Sequence, residues 1–429
     1  MSAVQARART ELVWGVVDQG FSSGTNLALS ILAGQVLGPE GLGVVFLGFS
    51  MYLLALSFLR ALVTEPFVVA TSARDEAERK AATRACIILV LVVAAAVTAL
   101  MVAVGLVAPD PLGRSLLVFA PWVGVALVQD QWRSVLFRDQ RGAAACFNDG
   151  AWAVGMLAML PLALAVRNDW AIAATWGGGA ALGALVGVWQ VKLRPSGLAH
   201  AYAWWVRDLR HLGSWLAIEN VILTAGGQLT VVLLAGQLGA ADLGGIRAVE
   251  VAFAPMTLVG EAFAFPGVPI LSRALATSLA DARRWAWRLG FGATALVGLY
   301  LAVAMPLREE LLSRVFGPDF ARFAVLALPI ALAQLIRALS TGFSVLIKAA
   351  ARVHAIVVTR ALSTGLTLVL GPLFAALYGL TAAVWGLALG SAAGSIVTIG
   401  LGLMSRDVPL RRARPSASGS AVSTSEVGA

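Results

Sequence analysis

Runs of about 20 apolar residues alternate with short polar breaks from one end of the chain to the other, and each run is long enough to cross a bilayer as a helix. Twelve such segments are read at 11–37, 42–70, 85–108, 114–137, 143–166, 170–191, 213–238, 243–271, 287–306, 320–347, 353–377 and 380–404. Runs such as Ile87 to Val107 are continuously apolar, which excludes the ~10-residue alternating strands of a membrane barrel. The predicted fold class is an all-α polytopic membrane protein of about 12 transmembrane helices.

Self-similarity adds an architecture to this count. Leu32-Ala33-Gly34-Gln35, Leu37-Gly38 and Leu42-Gly43 recur as Leu234-Ala235-Gly236-Gln237, Leu238-Gly239 and Leu243-Gly244, at an offset of 202 that falls to 201. Pro66 aligns with Pro266, and Ala120-Pro121 with Leu328-Pro329. Six spans per repeat is an even number, so the halves share one orientation and pack as two lobes around a central cavity. The domain reading is residues 1–10 as N-terminus, 11–191 as the first six-helix lobe, 192–212 as linker, 213–404 as the second lobe and 405–429 as a disordered Ser/Ala/Gly/Pro tail. Within the linker, Ala201 to Trp215 carries Trp204, Trp205, Arg207 and Arg210 and is expected to form a helix in the membrane interface.

Composition agrees with a membrane protein. The 429 residues are 59% hydrophobic and 13% charged, with mean hydropathy +0.84, far from the roughly 45–50% and 25% of a soluble domain. The net charge of +9 raises nucleic-acid binding only until the charges are placed. If the N-terminus is cytoplasmic, 24 of the 32 basic residues fall on the cytoplasmic side, six fall opposite, and Arg60 and Arg337 remain inside the bilayer. That asymmetry is the positive-inside pattern, so both termini are expected in the cytoplasm and no nucleic-acid partner is expected. No cleavable signal peptide is read, because the first apolar run already contains Asp18, Gln19 and Asn26. Cys86 and Cys146, each near a cytoplasmic span end, are expected to pack rather than pair.

Candidate chemistry lies in the polar residues that the apolar runs tolerate. Asp18, Ser22 and Asn26 in the first span map onto Asn220, Thr224 and Gln228 in the seventh. Spacing of four puts each trio on one helix face, and both faces are expected to line the space between the lobes, with packing between helices as the alternative. Gln334, Arg337, Thr341, Ser344 and Lys348 form another stripe. Arg60 and Arg337 offer planar forks that hold phosphate in bidentate fashion; the alternative for each is an ion pair, with Asp18, Glu65, Glu219, Glu250 or Glu261. Asp18, Glu219, Glu250 and Glu261 are candidates for exchanging a proton or binding a cation. Asp130 and Asp149 are expected to pair with Arg133, Arg138 or Arg141. No HExxH, Walker A, GxSxG or CxxC motif is present, so no enzyme, cofactor or metal centre is expected.

Trp14-Gly15 through Leu37-Gly38-Pro39-Glu40-Gly41-Leu42-Gly43, and Phe316-Gly317-Pro318-Asp319-Phe320 before the tenth span, resemble elements of the bacterial polysaccharide and O-antigen flippases of the multidrug, oligosaccharidyl-lipid and polysaccharide exporter superfamily. The resemblance extends over nearly the whole chain. It implies a multi-pass carrier of the bacterial cytoplasmic membrane that moves a polyprenyl-diphosphate-linked oligosaccharide to the outer leaflet by alternating access, with polysaccharide assembly enzymes as further partners and a monomer sufficient. It implies substrate contacts for Arg60 and Arg337. The many acids in the spans keep a cation-coupled small-molecule antiporter of the same superfamily as the alternative.

Overall fold

The computed structural model describes residues 3–404 apart from 73, 212, 215, 216, 218–223 and 351. Its helices are α1 (Ala3–Leu59), α2 (Glu65–Thr71), α3 (Glu76–Gly105), α4 (Leu112–Arg138), α5 (Gly142–Val166), α6 (Asp169–Val191), α7 (Leu198–Trp204), α8 (Gly226–Leu238), α9 (Ala240–Ala252), α10 (Pro255–Thr277), α11 (Leu279–Ala304), α12 (Arg308–Phe316), α13 (Ala327–Ala349), α14 (Val353–Tyr378) and α15 (Leu380–Leu403). Among the described residues, nine helical segments are long and apolar enough to cross a membrane, or ten if α9 and α10 count as one bent span. The first of the nine runs from Val13 to Thr71 and turns at Gly38, whose φ of 71° interrupts the helix. Gly239 does the same between α8 and α9, at φ 85°. Left-handed backbone costs an L-residue roughly 1–2 kcal/mol and glycine nothing, so the repeated Leu-Gly pair marks a repeated chain reversal. Each of the twelve expected segments overlaps a helix of this all-α fold.

Helix starts follow from local chemistry. Asp75 accepts a hydrogen bond from the Glu78 amide at 2.9 Å, Asn168 from Ala171 at 2.8 Å and Ser278 from Asp281 at 3.0 Å, each satisfying an amide that the first turn leaves free. Close packing uses small residues, as expected where lipid removes the hydrophobic drive between helices. Gly155 lies against Gly179 between α5 and α6, and Gly386 against the backbone of Leu370 between α14 and α15.

Three expectations change in detail. The eighth span, read as continuous over 243–271, bends by 44° between α9 and α10, where Pro255 has no amide hydrogen for the carbonyl one turn back. The stretch from Leu307 to Phe320, left between the ninth and tenth expected spans, is α12 followed by a 3₁₀ segment, Pro318–Leu326, rather than an open loop. The linker helix is α7 continued by a π turn, Trp205–Leu209; Trp215 lies outside the described residues. Trp204 is buried against Phe67, so this helix docks on the first half. Cys86 and Cys146 are both buried thiols.

The halves meet where the repeated loops lie. A Cβ on Gly43 would overlap the carbonyl of Ala240, and one on Gly244 the carbonyl of Pro39. Beside them, Leu47 of the first half packs with Ala235 and Leu243 of the second, against Phe46, Leu112, Val231 and Val232. The α12 and 3₁₀ segment cover this junction: the Phe316 ring sits on Gly34 and the Phe323 ring on Gly245, while the Gln35 amide donates to the Val315 carbonyl at 2.9 Å.

Candidate functional site

Each half encloses a polar cavity of its own. The first-half cavity, about 260 Å³, lies between α1, α4 and α5 and is lined by Asn26, Arg60, Asp130, Arg133, Asp149 and Trp152, among others. Arg60 begins the π turn Arg60–Thr64 that precedes Pro66, a local widening of the kind proline provokes. Its guanidinium grips Asp130 with two bonds, Nε to Oδ2 at 3.0 Å and Nη2 to Oδ1. The Arg60 side chain is 39% exposed and that of Asp130 3%, so the arginine faces the cavity and the carboxylate lies behind it.

Arg133 is the second hub. It meets Asp18 Oδ2 at 2.5 Å, Asp130 Oδ1 at 3.4 Å and Asp149 Oδ2 at 3.4 Å. Gln129 donates to Asp149 at 2.7 Å and to Asn148 at 2.8 Å. Asp18 is 2% exposed, and among the described residues its Oδ1 has no hydrogen-bond partner. Two guanidinium groups thus face three carboxylates, and the cavity carries one formal negative charge when all are ionised. Aromatic residues form its floor: Tyr52 and Trp152 line it and pack on the buried Trp176 at ring distances of 4.9 and 5.4 Å, with Phe49 and Phe119 beyond.

The second-half cavity, about 360 Å³, is bordered by α9, α10, α13 and α15, with Arg247, Glu250, Thr257, Gln334, Arg337 and Ser391 in its wall. Arg247 Nη1 lies 3.5 Å from Glu250 Oε2, and its guanidinium carbon 4.8 Å from the Phe46 ring of the other half. Arg337 Nη2 donates to Ser391 Oγ at 2.9 Å. Among the described residues, no carboxylate comes within 4 Å of Arg337, and the side chain is exposed to the cavity. Among the described residues, two guanidinium groups and one carboxylate leave this cavity with one formal positive charge when all are ionised.

These positions sort the expected site residues. Asn26, Arg60, Gln334, Arg337 and Glu250 border cavities, while Asp18 stands behind the first, bound to its Arg133. Thr224 and Gln228 border neither cavity. Glu219 and Asn220, and the side chain of Glu261, lie outside the described residues. Among the described residues, none of the partners considered for Arg60 pairs with it; Asp130 takes that place, and Asp130 and Asp149 both reach Arg133 as expected. Arg133 and Arg247, counted above as orientation charges, line cavities instead. A signal for both exists in the sequence: each sits three residues from an acid, Asp130 or Glu250, within an apolar run, the spacing that pairs side chains on one helix face.

No family model and no curated protein matches the chain. Solved structures do. A multidrug resistance MATE family transporter of the MOP superfamily in an inward-facing conformation is 12% identical, with a TM-score of 0.69 over 89% of this chain and 93% of that one. The lipid II flippase MurJ in an inward closed conformation is 14% identical, with a TM-score of 0.68 over 91% of this chain and 87% of that one. An outward-facing MATE family transporter gives a lower TM-score of 0.53, at 14% identity, over 93% and 95%. The chain therefore has the multi-pass helical fold that MATE transporters share with MurJ.

Proposed function

We propose that the chain is a flippase that carries a polyprenyl-diphosphate-linked oligosaccharide, a polysaccharide repeat unit, from the cytoplasmic to the outer leaflet of a bacterial cytoplasmic membrane by alternating access. The lobes are 11–191 and 213–404, both termini are cytoplasmic, and the contact around Gly43 and Gly244 closes the outer end. The greater overlap with inward-facing structures supports that orientation, and a lipid-linked cargo is supported by the likeness to a flippase named for lipid II.

The observation that carries this reading is Arg337. A guanidinium that faces a polar cavity and, among the described residues, has no carboxylate within 4 Å, with Glu250 across the same cavity, keeps its fork available for the oxygens of a diphosphate. Arg60 is already occupied by Asp130, so it contributes a secondary contact. Tyr52 and Trp152 offer flat apolar faces on which sugar rings can lie, while the polyprenyl tail stays in lipid.

Deletion of the gene tests this. Lipid-linked glycan is expected to accumulate in the cytoplasmic leaflet, with rescue by wild type, little rescue by Arg337→Ala and partial rescue by Arg337→Lys, which keeps charge without the fork. Normal glycan export in the deletion strain, with no second carrier present, would falsify the flippase reading.

The first-half cavity favours a second reading, an antiporter of small cationic molecules. Its excess carboxylate and aromatic floor suit a cation. On that reading Asp18→Asn abolishes ion-dependent drug efflux and Arg337→Ala leaves it intact.

A further inference from the structure

A third cavity, of about 500 Å³, lies away from both polar sites, where the ends of α3 and α6 meet the linker. Arg84, Lys192, Arg194, Ser196 and His200 line it. Three chain segments build it: α3 supplies Arg84, the end of α6 supplies Lys192, and the linker folds back so that the Ser196 amide donates to the Arg84 carbonyl at 3.0 Å. Lys192 ends α6 in the left-handed region, at φ 55°, the place where glycine is the usual residue. A lysine held there at some cost in backbone energy points to a use for its ammonium group.

Nearby acids are already engaged. Glu76 pairs with Lys80, Asp208 with Arg74 and Arg207, and Asp139 with Arg79 and Arg138. Among the described residues, Arg84, Lys192 and Arg194 have no carboxylate within 4 Å. The surface running from the pocket along α6 is apolar: Leu185, Val188 and Trp189 are exposed on one face, and the Trp189 ring lies 5.6 Å from Lys192 Nζ. Leu198 and Tyr202 expose a similar face on α7.

We infer that this pocket binds the phosphate-bearing headgroup of an anionic phospholipid, with the acyl chains lying along the exposed face of α6. Three unpaired cations and a serine hydroxyl surround the phosphate, in the manner of basic pockets at membrane interfaces. The adjoining apolar face explains why the ligand is a lipid and not a soluble anion. The bound lipid would join the linker to the first half at a position separate from either transport cavity.

Native mass spectrometry of the purified chain with phosphatidylglycerol or phosphatidylcholine tests the proposal. Wild type is expected to prefer phosphatidylglycerol. Arg84→Gln/Lys192→Gln/Arg194→Gln is expected to bind it about 100-fold more weakly, on the order of what three removed surface cations supply. Arg273→Gln/Arg288→Gln/Lys348→Gln, which removes the same charge from the other half, is expected to retain wild-type binding. Hydrogen exchange of wild type, which needs no variant to fold, is expected to slow over residues 192–202 in phosphatidylglycerol nanodiscs relative to phosphatidylcholine. Equal loss in both triple variants, equal binding of the two lipids, or unchanged exchange would overturn the site. Equal slowing by millimolar inorganic phosphate would replace the lipid with a soluble anion and overturn the proposal as stated.

Discussion

Gly43 and Gly244, equivalent positions of the internal repeat, pack backbone to backbone: a Cβ on Gly244 would stand 2.9 Å from the Gly43 amide nitrogen. Each faces the residue that follows the other's chain reversal, Ala240 or Pro39. The two copies of one sequence element thus form the contact between the halves. A Gly43→Val change forces side-chain carbon into a carbonyl and is expected to destabilise this closed end by ~1–3 kcal/mol, the usual cost of overpacking. In a Cys86→Ala/Cys146→Ala background carrying Ala235→Cys, a membrane-impermeant maleimide should label the variant faster than its Gly43 parent. Unchanged labelling would show that the contact does not hold the halves together.

Arg60 and Asp130 predict an asymmetric response to mutation. Arg60→Ala leaves a carboxylate that is 3% exposed with only the longer Arg133 contact at 3.4 Å, and removing one partner of a fully buried pair costs ~3–5 kcal/mol. Because Arg60 is 39% exposed and Arg133 still reaches Asp130, the loss should fall below that range. Arg60→Ala/Asp130→Ala should recover part of it, measured as thermal unfolding in detergent. A double variant less stable than the single would argue against the pair as the source.

Much of the architecture is legible in the sequence because membrane helices announce themselves locally. The apolar runs mark the spans, and the repeated Leu-Gly pairs mark the two chain reversals at Gly38 and Gly239. The cavities are less legible because they depend on which distant residues converge. Nothing near Arg133 in the chain indicates that Asp18 and Asp149 will surround it, so its place near a span end reads as topology. The polar stripes predict a lining for the space between the lobes; Asn26 instead borders a cavity within the first half, and Thr224 and Gln228 border neither cavity, the second being built from α9, α10, α13 and α15. Arg337 is found by both routes, since a lone arginine deep in an apolar run is conspicuous at any level.

Pro66 and Trp205 are linked through one carbonyl. Proline cannot donate to the Leu62 oxygen four residues back, and the Trp205 indole N–H donates to that oxygen at 3.0 Å. Trp205→Phe keeps the ring and removes the donor. The cost should be about 1 kcal/mol, and amide exchange over residues 198–209 should quicken. Exchange at the wild-type rate would mean that packing alone holds the linker helix.

Asp208 gives the same linker a response to acid. Partial burial pushes its carboxyl up, but bonds from Arg207 and Arg74 outweigh this and hold it below the ordinary aspartate value. A depressed folded value stabilises the docked helix above the unfolded pKa of about 3.9, and the contribution is lost as pH falls through the lower folded value. Helix 198–209 should therefore exchange faster on acidification below about pH 4, and Asp208→Asn should show the fast rate already at neutral pH. A variant indistinguishable from wild type at neutral pH would remove this ion pair from the account.

The opposite formal charges of the two cavities have a consequence for membrane voltage. Among the described residues, and with all groups ionised, the excess carboxylate of the first half and the excess guanidinium of the second cancel, so a carrier rocking as proposed would, when empty, shift little net charge through the field. The voltage then acts on the cargo. Each negative charge leaving a cell whose interior is negative gains ~2.3 kcal/mol per 100 mV, so the anionic headgroup proposed as cargo would bring its own driving force on release at the outer face.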